Sequence, residues 1–302
     1  MVPFAVLDGG LATELERHGC SLDDPLWSAK ALIEQPERVL AVHRSWLAAG
    51  ADVITTASYQ ASFAGLAARG IGREDAEALL RRSVALARAA VDERGRGSVA
   101  ASIGSHGAYL ADGSEYRGDY GLDRTALIEF HRDRLVVLSE GADLLAFETM
   151  PDAGELAAIA ELLAAVPGPP AWVSLSLAPD QLRLADGTAL ADALAPLRGH
   201  PRVLAIGVNC LAPRRVHAAL LALRELVEVP LIAYPNSGER WCDRAWAGDE
   251  LEVEAFAALA IGWFEAGARW IGGCCRTRPE HVRALVEARA RLAGELGARA
   301  AP

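Results

Sequence analysis

The feature that most constrains this chain is an alternation that repeats eight times. Short apolar, β-branched runs recur at FAVLDGG near residue 4, ADVITTAS near 51, SVAASIG near 98 and ADLLAFETM near 142. They continue with AWVSLSL near 171, RVLAIGVNC near 202, PLIAYPNSG near 230 and RWIGGCC near 269. Between them lie longer stretches with apolar residues at i, i+3 and i+4, such as EDAEALLRRSVALARAAVDE and ELEVEAFAALAIGWFEAGA, the pattern of amphipathic helices. In ALIEFHRDRLVVLSEGADLLAFE a whole helix-to-strand step is visible, with Gly141 placed as the helix stop. Such alternation dictates a parallel sheet with right-handed crossovers. Eight repeats at roughly 35–40 residue spacing suit a closed barrel better than an open sheet. The predicted fold class is therefore α/β, a single (β/α)8 TIM-type barrel. No Pro-, Ser- or charge-rich linker divides the chain, so residues 1–302 read as one domain, with about the last eight residues of the tail LAGELGARAAP frayed.

Composition excludes several classes of partner. The chain is 52% hydrophobic and 23% charged, enough apolar material for a large core. A net charge of −10 with no basic stripe gives nucleic acid nothing to bind, and gives anionic lipid no attraction. No apolar run reaches the roughly 18 residues a membrane span needs. The start, MVPFAVLDGG, lacks the basic segment and apolar stretch of an export signal. Five cysteines, an odd number at scattered spacings, do not make a disulfide framework. The expected location is the cytoplasm, where a cysteine cluster serves metal binding or catalysis. A homo-oligomer stays open, because the apolar helix faces of a barrel do not announce an interface.

A barrel also says where chemistry sits, at the C-terminal ends of its strands. The polar residues ending the eight runs are Asp8, Thr55 and Thr56, Ser105 and His106, Glu148 and Thr149, Ser176, Asn209 and Cys210, Asn236 and Ser237, and Cys274 and Cys275. Three of the five cysteines thus fall on one rim. Neighbouring residues on a strand point to opposite faces, so Cys274 and Cys275 share a task only if the chain turns there, which Gly272 and Gly273 permit. Three readings are open: three thiolate ligands of a zinc with a fourth position free, buried thiols acting as small hydrophobes, or a redox pair. The metal reading is preferred. Cys20 has no nearby ligand partner, and Cys242, in the loop after the seventh run, reads as incidental. Three thiolates leave Zn²⁺ at a net −1, a weak Lewis acid but a good holder of an incoming thiol that it helps to deprotonate. Thiol alkylation is the reaction class this favours.

With these residues in view the chain resembles the homocysteine S-methyltransferase family, through LDGGLATELERHG, GVNC ending at Cys210, and GGCCRTRPEHVRAL. The resemblance spans essentially the whole chain. It implies one zinc per chain held by Cys210, Cys274 and Cys275, and a homocysteine pocket formed by Asp8, Gly9, Thr56 and Glu148. Asp8 and Glu148 would take the ammonium; backbone N–H groups and the Thr56 hydroxyl would take the carboxylate. The plainer alternatives are a solvated rim charge for Glu148 and, for Asp8, a helix-capping role that can coexist with ligand binding. The segments SIGSHGAYLADGSEYRGDYG (102–121) and YPNSGE (234–239) are similar to the branch that uses S-methylmethionine, with S-adenosylmethionine as second donor; betaine is the donor of other relatives, and the chain has no room for folate and cobalamin modules. Tyr109, Tyr116 and Tyr120 either attract a sulfonium by cation–π contact or simply pack the loop, and His106 reads as structural. Three alternatives stand beside methylation of homocysteine from these sulfonium donors. One is a selenocysteine acceptor on the same site, one is a betaine donor, and one is a zinc-stabilised binding scaffold with no catalysis. The fourth zinc position, Asn209 or a water, stays open.

Overall fold

In a computed structural model, which describes residues 2–21, 28–242 and 245–300, eight parallel strands form one sheet. They are β1 (Ala5–Val6), β2 (Val53–Thr55), β3 (Ser98–Gly104), β4 (Leu144–Met150), β5 (Ala171–Leu175), β6 (Val203–Asn209), β7 (Leu231–Tyr234) and β8 (Ala268–Ile271). Each run expected to be a strand contains one. Sequential strands pair from β2 to β7, β8 lies between β7 and β1, and a parallel bridge from Leu7 to Val53 brings the two ends of the sheet together. The backbone N–H of Asp8 donates to Val53 O at 3.0 Å across that closure. The expected (β/α)8 barrel is the observed fold.

Helices Pro36–Ala49, Arg73–Arg94, Arg124–Ser139, Ala153–Ala165, Pro213–Arg224, Val253–Glu265 and Pro279–Ala300 follow the other strands. The crossover from β5 to β6 departs from the pattern. It makes only the single turn Leu190–Ala193 and a 3₁₀ turn at Ala195–Leu197, because Pro196 cannot continue an α-helix. A short antiparallel hairpin, Arg240–Cys242 with Ala245–Ala247, follows β7 and has no counterpart in the strand pattern read from the sequence. The final helix extends to Ala300, into the tail expected to fray. Among the described residues no helix is long and apolar enough to cross a membrane.

Two apolar layers hold these elements. Between strands and helices lie Trp46, Phe147, Phe256 and Trp263, all fully buried. Inside the barrel, Leu7, Ala100, Ala146, Trp172, Ala205, Ile232 and Tyr234 form a separate cluster. Alanine at 100, 146 and 205 leaves the space that the indole of Trp172 fills, and its Nε1 donates to the Tyr234 hydroxyl at 3.0 Å. The two-residue period of a strand then sets the mouth. Ser102 shares the face of Ala100, Glu148 that of Ala146 and Tyr234 that of Ile232, so all three project inward one step above the apolar floor.

Candidate metal centre

Cys210 follows β6 directly and Cys274–Cys275 follow β8 after two glycines. The adjacent pair is turned inward by tight backbone packing against the first loop. A Cβ on Gly272 would sit 2.5 Å from Leu7 Cβ, one on Gly273 2.2 Å from Thr277 Oγ1, and one on Gly10 2.7 Å from the Cys274 carbonyl oxygen. Gly273 N donates to Asp8 O at 2.9 Å and Cys274 N to Pro235 O at 2.7 Å. The buried Thr277 hydroxyl donates to Cys274 O at 2.7 Å, which closes the turn. Arg276 then takes a left-handed conformation, φ 66°, with its N–H given to Thr13 Oγ1 at 2.8 Å. The adjacent thiols can face one point because the chain is no longer a strand there.

The three Sγ atoms lie within 4.8 Å of one another, and those of Cys210 and Cys275 are 3.6 Å apart. Metal–sulfur bonds of about 2.3 Å in a tetrahedron require sulfur atoms about 3.8 Å apart, so the donor set fits a zinc-sized ion with one corner left over. Hydrogen bonds with Cys274 and Cys275 draw the Cys210 thiol well below its usual range, and the resulting thiolate pushes Cys274 and Cys275 up. The Tyr116 hydroxyl lies 3.2 Å from Cys210 Sγ. Cys20 is buried in the core and outside this group; the Cys242 side chain lies outside the described residues.

Two more non-glycine residues near these thiols have left-handed backbone, Thr149 at φ 58° and Cys210 itself at φ 52°, a conformation that costs about 1–2 kcal/mol each. The Asn209 side chain, one residue before Cys210, fixes Thr149. Its Oδ1 accepts from Thr149 N at 2.8 Å and its Nδ2 donates to Thr149 Oγ1 at 2.7 Å, with Cys274 Sγ a further 3.9 Å contact. The amide is therefore spent on shape.

Two buried carboxyls share the mouth. Asp8 accepts from Thr55 N at 2.7 Å and Thr55 Oγ1 at 3.0 Å; burial pushes its carboxyl up to about 8, with the charge of Glu148 adding to the effect. Glu148 accepts from the Ser102 and Tyr234 hydroxyls, and burial pushes it up to about 7. Gly9 is packed under Trp46, where a Cβ would come within 2.7 Å of the ring. Thr56 is placed differently from the expectation. Its Oγ1 accepts from Ser102 N at 2.9 Å and contacts Ser58 Oγ at 2.6 Å, while Ser58 donates to Ser102 O at 2.7 Å. That closed set of bonds ties β2 to β3 and leaves no free hydroxyl proton to point at a ligand.

The aromatic loop after β3 separates the three tyrosines. Tyr109 and Tyr120 pack against the His106 ring at centroid distances of 5.4 and 5.2 Å, and Tyr120 donates to Glu155 Oε2 at 3.1 Å. Glu155 also accepts from His106 N at 2.6 Å and pairs with the buried His131 at 2.7 Å, so this half of the loop is anchored to two helices. Only Tyr116 reaches the thiols. Ser102 and Tyr234 are absent from the set singled out in the sequence, whereas Asn209 and Tyr116 stand in it without these partners. Strand period would have found the first two, on the inward faces of β3 and β7, whereas the contacts of the others depend on loop geometry.

A parallel (β/α)8 barrel with a group of three thiols at its mouth, spaced so that they could hold a metal ion, defines the class, and comparison with known proteins narrows it. The chain belongs to the homocysteine S-methyltransferase family, whose profile matches residues 5–289. It is 47% identical over 296 residues to homocysteine S-methyltransferase YbgG of Bacillus subtilis, covering 94% of this chain and 93% of that one. The metallated crystal form of the homocysteine methyltransferase MmuM of Escherichia coli superposes with a TM-score of 0.86 at 47% identity over 96% of each chain. A selenocysteine Se-methyltransferase of Brassica oleracea var. italica is 41% identical, covering 93% of this chain and 88% of that one. The chain is thus a methyltransferase of this family, with homocysteine S-methyl transfer as its activity class.

Proposed function

We propose that this enzyme moves a methyl group from S-methylmethionine, with S-adenosylmethionine as a second donor, to the thiol of homocysteine, and that zinc is its metal. The observation that carries the reading is the convergence of Cys210, Cys274 and Cys275 beside two buried carboxyls, Asp8 and Glu148. A bound zinc supplies, through three thiolates, an electron-rich centre that lowers the pKa of an added thiol while leaving it nucleophilic.

The chain's own residues do the rest. Cys210, Cys274 and Cys275 are the metal ligands. Asp8 and Glu148 hold the homocysteine ammonium, Gly9 gives its backbone room to approach, and Thr56 keeps β2 and β3 in register beneath it. Burial of both carboxyls makes their pairing with a cation worth more than it would be in water. Homocysteine would enter the reaction as its thiolate, its proton released to solvent on binding. Its sulfur then attacks the donor's methyl carbon in line, a C–S bond forms, and the old C–S bond returns its electron pair to the donor sulfur. No proton moves in that step, so no general base is needed. Alignment of two held substrates and the meeting of an anion with a cation in a closed pocket supply the rate. With S-methylmethionine both products are methionine. The free thiols suit a reducing compartment, so we place the enzyme in the cytoplasm as a single barrel unit, with residues 1–302 as one domain.

The likeness to a selenocysteine Se-methyltransferase favours one second reading, a selenol acceptor in the same pocket. The test is methionine formation from homocysteine with each donor offered separately, repeated with selenocysteine as acceptor. Turnover confined to selenocysteine would replace the first reading by the second.

A further inference from the structure

The loop over the mouth carries an acid that the reaction as described leaves unused. Glu115 lies in the 3₁₀ turn Ser114–Tyr116, next to the tyrosine whose hydroxyl is 3.2 Å from Cys210 Sγ. Its Oε2 is closed to solvent and has no hydrogen-bond partner. The charge of this carboxyl acts on the hydroxyls of Tyr59 and Tyr116, and that of Cys210 acts on the carboxyl in turn. The cation that acts on it, Arg117, is exposed and turned to Asp112 at 3.5 Å.

The position is built rather than incidental. Asp112 Oδ1 accepts from Ser114 N at 2.9 Å, and Gly118 N donates to Ser114 O at 2.8 Å. A Cβ on Gly107 would fall 2.5 Å from Glu115 N, and one on Gly118 2.8 Å from Pro151 O. Bare backbone at 107 and 118 therefore lets the turn lie flat against the mouth. Holding an acid oxygen there without a donor is costly unless a cation arrives to face it. A sulfonium is such a cation. It carries a full charge but no N–H or O–H, so it is recognised by negative charge and aromatic faces, not by hydrogen bonds.

We propose that Glu115, flanked by Tyr59 and Tyr116, holds the positively charged sulfur of the methyl donor. The assignment rests on the cationic-donor reading above. Asp8 and Glu148 serve the acceptor's ammonium; Glu115 serves the donor's sulfur. When the methyl leaves, the C–S electron pair neutralises that sulfur and the hold of Glu115 lapses, so the enzyme favours donor over demethylated product.

The test is calorimetric titration of the zinc-loaded enzyme with S-methylmethionine in the absence of acceptor, and with homocysteine in the absence of donor. Wild type, Glu115→Gln and Glu115→Asp are compared. Glu115→Gln should weaken S-methylmethionine by about tenfold or more, leave homocysteine within about twofold, and raise KM for the donor alone. Glu115→Asp should recover part of the loss. Donor affinity unchanged in Glu115→Gln, or an equal loss for both ligands, overturns the assignment while leaving the donor reading intact. A wild type that binds neither S-methylmethionine nor S-adenosylmethionine overturns the donor reading itself, and Glu115 falls with it.

Discussion

Asn209 clasps Thr149 through both atoms of its amide, at 2.8 and 2.7 Å, and so joins the ends of β4 and β6 immediately beside Cys210. One strained residue, Thr149, is held by this side chain, and the other, Cys210, is its neighbour in the chain. Asn209→Ala would leave a buried N–H without a partner, and the expected cost is about 2–3 kcal/mol. Because the strain at Cys210 aims its thiol, metal affinity should fall about 10- to 100-fold as well. Thermal unfolding and competition against a chromophoric chelator measure the two effects separately.

Gly10 tests how the cysteine turn is built. A methyl group there meets the Cys274 carbonyl oxygen at 2.7 Å, a backbone atom that cannot rotate away. Gly10→Ala should lower stability by about 1–3 kcal/mol and reduce bound metal, although position 10 touches no metal itself. Metal analysis of the purified variant beside the wild type checks this.

Binding of an amino acid should release protons. Asp8 and Glu148 are raised by burial to about 8 and about 7, so near pH 6.5 both are largely protonated before a substrate ammonium arrives. Pairing with that ammonium favours their ionised forms. Methionine, which has no thiol to confuse the count, should bind with release of one to two protons at pH 6.5 and with almost none at pH 9. Affinity should rise with pH over that interval, until the ligand's own ammonium titrates. Calorimetry in buffers of different ionisation enthalpy gives the number directly. The double variant Asp8→Asn, Glu148→Gln should lose both the release and most of the affinity.

Acid stability should depend on His43. The ring is fully buried on helix Pro36–Ala49, neither nitrogen has a partner, and burial lowers its pKa to about 4. Between about 4 and the ordinary 6.5 the unfolded chain binds the proton that the folded one refuses. Its contribution is therefore complete above pH 6.5 and is lost as the pH falls to about 4, a change of about 3 kcal/mol. His43→Leu should flatten the slope of stability against pH in that window, as read by denaturant titrations at several pH values.

Much of this was legible in the sequence because it depends on local pattern. Period and spacing located all eight strands, and the rule that barrel chemistry gathers at strand ends brought Cys210 to the same rim as Cys274 and Cys275. Family resemblance added Asp8, Gly9, Thr56 and Glu148. What escaped depends on contacts between distant segments. Thr56 looks like a free hydroxyl until Ser58 and Ser102 are seen to close around it. Tyr109, Tyr116 and Tyr120 are equivalent in the chain and become different only when His106 and Glu155 claim two of them. The weak fifth crossover is a matter of one proline, and the hairpin at 240–247 lacks the apolar run that marks the barrel strands.

The central claim is that three cysteines hold one zinc that serves methyl transfer from a sulfonium to homocysteine. The most direct test is to purify the protein without chelator or oxidant, count zinc per chain, and follow methionine formation with S-methylmethionine, S-adenosylmethionine and betaine in separate reactions. The same count is then made for Cys210→Ser, Cys274→Ser and Cys275→Ser. One zinc per wild-type chain is expected, with turnover fastest with S-methylmethionine and loss of both metal and activity in each variant. A metal-free wild type that turns over, or a serine variant that keeps its zinc and its rate, would contradict the claim.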